Sequence, residues 1–287
     1  MTETAAAVPT RQPSRLSRVK NKLAAEWLRI GEQTRFYFLT LAAIPGAAIH
    51  YRSEVLRLIA QMGLGSGALA TIGGTIVIVG FMTTSTGAVV AAQGYTQFQS
   101  IGVEALTGFT AAFFIPRLIV PGTAQVTLTA TVGAGATAQI GAMRINEEID
   151  ALEVIGIRSV TYLAATRVLA GTIVVIPLYA VALIMGFAAA RVGTTLIYGQ
   201  AAGVYDHYFD TFLNTTDLAW SFFQTIVMIV VVMLVSTYYG YTASGGPAGV
   251  GEAVGRAVRA SMVVGAFVLV AVTLAVYGQS GNFRLAG

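Results

Sequence analysis

Four carboxylates crowd into one short stretch of an otherwise apolar sequence. Residues 139–157 read QIGAMRINEEIDALEVIGI, and the acids among them are Glu147, Glu148, Asp150 and Glu153. Catalysis needs convergent groups in named roles within reach of one another, whereas a row of carboxylates suits contact with basic or polar groups on another surface. The stretch therefore indicates a segment that lies outside the lipid and can contact another surface.

The pattern predicts a short helix over 144–156. Asn146 can cap its start, because its side chain can accept a hydrogen bond from a free backbone N–H, and acids in the first turn suit the helix dipole. Gly156 is placed to end it in a left-handed conformation. Such a helix between membrane spans lies at the membrane surface or docks on a soluble partner; a solvated loop helix without a partner is the alternative. Its apolar side holds Ile145, Ile149 and Leu152, and Glu147, Asp150 and Val154 point away.

Isolated ionisable residues occur elsewhere in apolar sequence. Glu104 and Arg117 fall within a long apolar run, where charges usually face a cavity or a partner. They either contact a lipid headgroup or take part in a structural ion pair between packed helices. An intramembrane enzyme acting on lipid, with one of them or Asp206 or His207 as catalyst, is the alternative function, and their scatter argues against it.

Several kinds of chemistry are excluded by what the sequence lacks. No G-x-x-x-x-G-K-[ST] loop is present to hold ATP phosphates, and neither H-E-x-x-H nor G-x-S-x-G occurs. There is no cysteine, and His50 and His207 are far apart, so we expect no metal site, catalytic residue or cofactor in this chain. No nucleic-acid partner is expected, and any energy input must come from another subunit.

Composition places the chain in a membrane. Of its 287 residues 55% are hydrophobic and 10% are charged, against about 25% charged in soluble domains, and the mean hydropathy is +0.72. We predict an all-α integral membrane protein with about five transmembrane helices. The expected spans are 64–92, a discontinuous span at 101–142 broken at Pro116 and Pro121, 162–190, 218–241 and 261–277.

The N-terminal region differs from the rest. Residues 1–22 predict a disordered basic tail on the cytoplasmic side, and 23–60, which mixes aromatics with arginines, predicts an amphipathic helix in the membrane interface. The alternative for 23–60 is a soluble-facing amphipathic helix packed on a neighbour. Residues 61–287 form the membrane domain, with the polar loop 191–217 at the far interface. The protein should be a multi-pass plasma-membrane protein with its C-terminus on the periplasmic side.

The acidic stretch resembles the signature of the MlaE/YrbE family, the permeases of Mce-type lipid ABC transporters. The family pattern is similar to G-x-M-R-x-x-E-Q-I-D-A-L-x-x-M, and eight positions match: Gly141, Met143, Arg144, Glu147, Ile149, Asp150, Ala151 and Leu152. The resemblance implies that 61–287 is an MlaE-type permease domain moving lipids or fatty acids across the cell envelope. It also implies that 144–156 is a cytoplasmic coupling helix contacting an ATPase dimer, which would bind ATP and Mg. The implied contact residues are Arg144, Asn146, Glu147, Glu148, Asp150 and Glu153.

Three family positions depart from the pattern. Ahead of the coupling helix the family resembles R-E-L-G-P, A-G-R-x-G and A-E-I-G, and here Leu118, Thr131 and Gln139 replace two acids and one base. Losing both signs together is tolerable, whereas stranding one buried charge is costly. The departures predict a heterodimer with a related permease that keeps the charges. They resemble the B-type YrbE subunit of an actinobacterial, mycobacterial complex, which implies Mce lipid-binding proteins on the outer face.

Overall fold

The computed structural model describes residues 15–64 and 74–277, with side chains described for 27–64 and 74–276. Every regular element in these ranges is a helix. Five helices, α3, α4, α6, α8 and α9, are long and apolar enough to cross a membrane, so the prediction of an all-α membrane protein with about five spans is confirmed. The helices are α1 (Arg15–His50), α2 (Arg52–Leu64), α3 (Gly74–Gln99), α4 (Glu104–Ile145), α5 (Glu148–Val154), α6 (Val160–Ile197), α7 (Ala202–Phe212), α8 (Thr215–Tyr241) and α9 (Gly246–Tyr277).

The N-terminal region forms two helices where one was expected. Helix α1 begins at Arg15, so residues 15–22, which were predicted to belong to the disordered tail, are helical. The chain breaks at Tyr51, whose ring packs edge-on against Tyr162 of α6 with centroids 5.2 Å apart. Helix α2 then buries Val55, Leu58 and Met62, so one of its faces packs on neighbouring helices.

Helix α4 runs without interruption through the segment expected to be discontinuous. It contains two π-helical turns, at Ile115–Ile119 and Thr129–Gly133. A proline inside a helix removes one hydrogen-bond donor and clashes with the preceding turn, and a wider π-turn relieves such strain while the helix continues. Pro116 lies within the first π-turn and Pro121 follows it closely. The expected break is therefore a local widening.

Helix α6 lies at the centre of the bundle, packed against α2, α3 and α8. Its closest neighbour is α3, because glycines let the two backbones meet: a Cβ on Gly87 would lie 2.6 Å from the carbonyl oxygen of Gly186. Small residues at helix contacts are a common way of packing membrane helices. Helix α9 is held less deeply, and its outer face leaves Val263, Phe267 and Leu274 exposed.

The bundle has two ends, which we name after the short helices found there. At the α5 end, the chain passes from α4 through α5 to α6, and Ser159 Oγ lies 2.9 Å from Tyr241 Oη at the end of α8. At the α7 end, Tyr95 stacks on Tyr198 and the Glu104 carbonyl accepts a hydrogen bond from Gln200 Nε2 at 2.9 Å.

Candidate functional site

The turn into α5 differs in one respect from the expected cap. Asn146 continues the last turn of α4, donating its backbone N–H to Ala142, so the N-cap of α5 is Glu147 and not Asn146. The Asn146 side chain donates instead to Glu148 Oε1 at 3.4 Å. Glu147 has a φ of +60° and is the one non-glycine residue with positive φ in the part of the chain that is described. This left-handed turn sets the direction in which α5 leaves α4.

Apolar packing fixes α5 against both neighbouring spans. Ile149 is fully buried and packs with Ile140 of α4 and Leu163 of α6. Gly156 has a φ of +82°, as predicted for the residue that ends the helix, and Ile157 N–H closes the end on the Leu152 carbonyl at 3.0 Å. One side chain of α5 therefore touches both of the helices that the short segment connects.

Three further predicted contact residues, Arg144, Asp150 and Glu153, are engaged within the chain itself. Arg144 Nη1 lies 2.8 Å from Asp150 Oδ1, which ties the end of α4 to α5. Glu153 Oε1 accepts hydrogen bonds from Ser159 Oγ at 2.5 Å and from Tyr241 Oη at 3.3 Å. Glu153 and Asp150 thus help to hold α5 in place.

The outer face of α5 stays open. Glu147 and Glu148 begin it, and Val154 and Ile155 end it two turns later, with exposed fractions of 87% and 70% for the two apolar residues. All four side chains are exposed, and we name them together the α5 patch. A patch with carboxylates at one end and bare aliphatic side chains at the other suits a protein groove with a basic rim and an apolar floor. It presents no group for covalent chemistry.

Glu104 and Arg117 are not brought together. They are thirteen residues apart on α4, which at about 1.5 Å per residue is about 20 Å. Arg117 instead makes an ion pair with Asp217 in the first turn of α8, and its guanidinium lies 3.9 Å from the Phe113 ring centre. Glu104 is exposed at the start of α4. The geometry therefore gives Arg117 a structural ion pair, with Asp217 as its partner.

A buried arginine is the residue that the sequence reasoning missed. Arg167 lies in α6 with 4% of its surface exposed. Its Nη1 donates to the Leu163 carbonyl at 3.0 Å, and its Nη2 donates to Gln139 Oε1 at 3.3 Å. It lines a cavity of about 90 Å³ together with Thr131 and Gln139, two of the three positions that depart from the family pattern. The available signal was a lone cation inside an otherwise apolar span, which by itself marks a candidate functional residue.

At the α7 end, Arg191 binds Asp206 with two hydrogen bonds, Nε–Oδ1 and Nη2–Oδ2, each 2.8 Å long. The hydrogen bonds from Arg191 lower the pKa of the Asp206 carboxyl below its usual value. The neighbouring Tyr205 is buried, and burial raises the pKa of its hydroxyl. This pair holds α7 onto the end of α6.

Comparison with known proteins identifies the family. The family described as permease MlaE matches residues 65–275. A probable ABC transporter permease protein of Rickettsia bellii is 26% identical over 261 residues, covering 87% of this chain and 94% of the relative. One of Synechocystis is 26% identical over 167 residues, covering 58% and 64%. The chloroplast protein TRIGALACTOSYLDIACYLGLYCEROL 1 of Arabidopsis thaliana is 25% identical over 167 residues, covering 58% and 48%.

These names settle the class of the molecule. ABC transporter permeases are transport components and not enzymes, so the alternative of an intramembrane enzyme is not supported. A permease of this kind implies an ATPase partner. The family match spans well over half of the sequence and includes all five candidate spans almost completely. The chain therefore belongs to the MlaE family of ABC transporter permeases.

Proposed function

We propose that this chain is the permease of an ATP-driven lipid transporter, and that the α5 patch docks in a groove of the ATPase, which binds ATP and Mg. The observation that carries the proposal is the double attachment of α5. Ile149 is locked between α4 and α6, while the opposite face presents the α5 patch to solvent. A push or pull on that face reaches two membrane spans directly.

The lipid substrate is supported by composition and by one relative. The spans are apolar and rich in small residues, with few polar side chains, which suits an acyl chain better than a sugar or an ion. The Arabidopsis relative carries a glycerolipid, trigalactosyldiacylglycerol, in its name. We therefore propose lipids or fatty acids as the transported class.

The proposed assembly is a heterodimer of permeases with Mce lipid-binding proteins on the α7 end. The motivation is the neutral set Leu118, Thr131 and Gln139, which a related sister permease would complement. In this arrangement the N-terminus and α5 face the cytoplasm, and α7 and the C-terminus face outward. The B-type, actinobacterial subtype rests on these substitutions alone, because the relatives described above come from Rickettsia, a cyanobacterium and a plant.

The docking test is charge reversal on the open face. Glu147→Lys combined with Glu148→Lys should abolish co-purification of the ATPase and ATP-dependent lipid movement, because like charges then meet across the interface. These two acids are better targets than Asp150, whose ion pair with Arg144 would also be broken. Asp210→Lys, an equally exposed reversal on α7, is the matched control and should retain the ATPase.

Normal ATPase binding in the double variant, with the control behaving alike, would contradict the docking site. The pairing has its own test, in which this chain is expressed with the ATPase and without a sister permease. A stable and transport-competent assembly containing two copies of this chain would refute the heterodimer, and loss of the complex that is rescued by the sister chain would support it.

A further inference from the structure

Arg167 is a buried cation whose hydrogen bonds within the described residues are all to neutral groups. Its two terminal nitrogens donate to the Leu163 carbonyl and to the Gln139 amide oxygen. Its Nε is fully buried and has no hydrogen-bond partner there. A guanidinium keeps its charge at every physiological pH, so a full positive charge is buried in this part of the bundle without a carboxylate hydrogen-bonded to it.

The neighbouring acids do not neutralise this charge by contact. Glu54 of α2 is near enough to attract Arg167, but both of its carboxylate oxygens are bonded to Arg57, at 2.9 Å and 2.5 Å, and the Arg57 charge repels Arg167. Residues 65–73, which connect α2 to α3, read GSGALATIG and contain no acid. A buried charge without a counter-charge is costly, so the arrangement favours an anion supplied from outside the chain.

The cavity beside Arg167 has the lining that such an anion requires. Its volume is about 90 Å³, and its lining combines apolar residues with Arg167 and four neutral polar side chains, those of Gln61, Thr75, Thr131 and Gln139. Arg167 is buried at its floor, and Gln139 is exposed at its mouth. Arginine presents a planar fork of N–H groups that matches the oxygens of phosphate and carboxylate. Amide and hydroxyl groups can donate the remaining hydrogen bonds.

The position of the cavity favours a lipid over a soluble anion. Arg167 lies seven residues beyond the start of α6, about 10 Å from the α5 end of that helix. Arg167 therefore lies near the α5 end of the bundle and far from the middle of α6. The wall formed by α2 contributes Leu58 and Met62, and these apolar side chains offer a surface for the first methylene groups of an acyl chain.

We propose that this cavity binds the phosphate or carboxylate oxygens of an anionic membrane amphiphile, with Arg167 as the charged ligand and Gln139 beside it at the entrance. The inference that this cavity binds the transported lipid rests on the proposed lipid-transport function, whereas the binding of an anionic amphiphile does not. The site lies within one permease chain, so it does not require the sister permease.

The first variant for the test adds a negative charge beside Arg167 within the protein itself. Gln139→Glu places a carboxylate where the amide oxygen already lies 3.3 Å from Arg167 Nη2, so an internal ion pair should replace the bound anion without a change of side-chain length. Arg167→Gln removes the cation. Arg191→Gln, at the opposite end of the same helix, removes one arginine outside the cavity and is the control.

The measurement is native mass spectrometry of the full-length chain in nonionic detergent, with phosphatidylglycerol, phosphatidylcholine, oleate or inorganic phosphate added separately. The wild type and Arg191→Gln should retain phosphatidylglycerol or oleate in preference to phosphatidylcholine. Both Gln139→Glu and Arg167→Gln should lower that retention about tenfold, the loss of one charge-assisted contact. A thermal unfolding transition like that of the wild type is the criterion that Gln139→Glu is folded.

Equal retention of the anionic lipids by the wild type and by folded Gln139→Glu would overturn the proposal. Retention of inorganic phosphate without either lipid would also overturn it, since the ligand would then be a soluble anion. Transport is scored separately in the ATPase complex. If the complex moves lipid but all variants retain lipid equally, only the Arg167 site is refuted. If lipid retention changes as predicted but the complex moves no lipid, only the transport function is refuted.

Discussion

Glu147 adopts a backbone conformation that its side chain disfavours. A left-handed φ costs a residue with a Cβ about 1 kcal/mol or more, and Glu147 has a φ of +60°. Glu147→Gly should therefore stabilise the turn by about 1 kcal/mol while weakening ATPase binding through loss of one carboxylate. Chemical unfolding in detergent and co-purification measure the two effects.

Glu148→Gly is the matched comparison, because it removes the neighbouring carboxylate from an ordinary helical position. Glycine there lowers helix stability by up to about 1 kcal/mol, so stability should fall rather than rise. If both glycine variants changed stability in the same direction, the strain assigned to Glu147 would be wrong.

The Arg191–Asp206 pair predicts an acid-sensitive contact for α7. The pKa of Asp206 is lowered in the folded protein, so the pair adds stability above the usual carboxyl pKa of about 3.9. That stability is lost as the pH falls through the lowered value. Below about pH 4 the hydrogen-exchange protection of 202–212, taken relative to the intrinsic exchange rate at each pH, should fall in the wild type, and Asp206→Asn should remove this loss of protection. Asp210→Asn, which leaves the Arg191–Asp206 pair intact, should keep the wild-type response.

Single residues in the acidic stretch were predictable where the local pattern decides their position. Gly156 and Ile149 follow from turn chemistry and from helical spacing, and both have the expected conformation or burial. The predicted cap at Asn146 was wrong. Helix α4 continues to Ile145, so Asn146 ends α4 and does not begin the next helix. Arg167 was not predicted as a site residue, because nothing in its neighbouring sequence shows that Gln139, twenty-eight positions earlier, lies beside it.

Helix α7 is attached to α4 by a backbone contact that leaves no room for a side chain. A Cβ on Gly108 would lie 2.4 Å from the Tyr205 carbonyl oxygen and 2.8 Å from the Phe209 nitrogen. Gly108→Ala should therefore push α7 away and destabilise the protein by about 1–3 kcal/mol. Limited proteolysis between 198 and 214, together with thermal unfolding in detergent, would show the detachment.

Gly203 offers the control within α7 itself, since an added Cβ there meets nothing within 4 Å. Gly203→Ala should be neutral or slightly stabilising, because alanine favours the helix. Similar losses of stability in Gly108→Ala and Gly203→Ala would mean that the close approach at Gly108 does not hold α7.

The spans were predictable as elements because long apolar runs have few alternatives to a membrane helix. Their internal geometry was not. Pro116 and Pro121 predicted a break in α4, whereas the structure keeps one helix with a π-turn at Ile115–Ile119. Sequence shows which hydrogen-bond donors a proline removes, but the surrounding helices decide whether the chain breaks or widens.

At the scale of the molecule, α5 joins the two longest membrane helices. Helix α4 has 42 residues and α6 has 38, so at about 1.5 Å per residue each is about twice as long as a 30 Å hydrocarbon core is thick. Both therefore tilt or extend beyond the membrane. Because Ile149 packs on each of them, a displacement of α5 acts on two continuous rods that reach the α7 end.

The π-turns of α4 predict where one residue can be removed from that helix without disturbing its packing. A π-turn is equivalent to one residue added to an α-helix, so removing one residue from it should leave an ordinary turn with the flanking faces unmoved. Deletion of Ala130, exposed in the Thr129–Gly133 turn, should be tolerated, with expression and thermal unfolding close to those of the wild type.

Deletion of Ala88, equally exposed but in the π-free helix α3, should rotate everything after it by about 100° and expose Ala91 and Gly94. If the Ala130 deletion unfolded the protein as readily as the Ala88 deletion, the equivalence would be wrong. If it holds, insertions and deletions among natural relatives should gather at 115–119 and 129–133. Such one-residue gaps would then mark positions where a relative has gained or lost a π-turn while the flanking helix faces kept their packing partners.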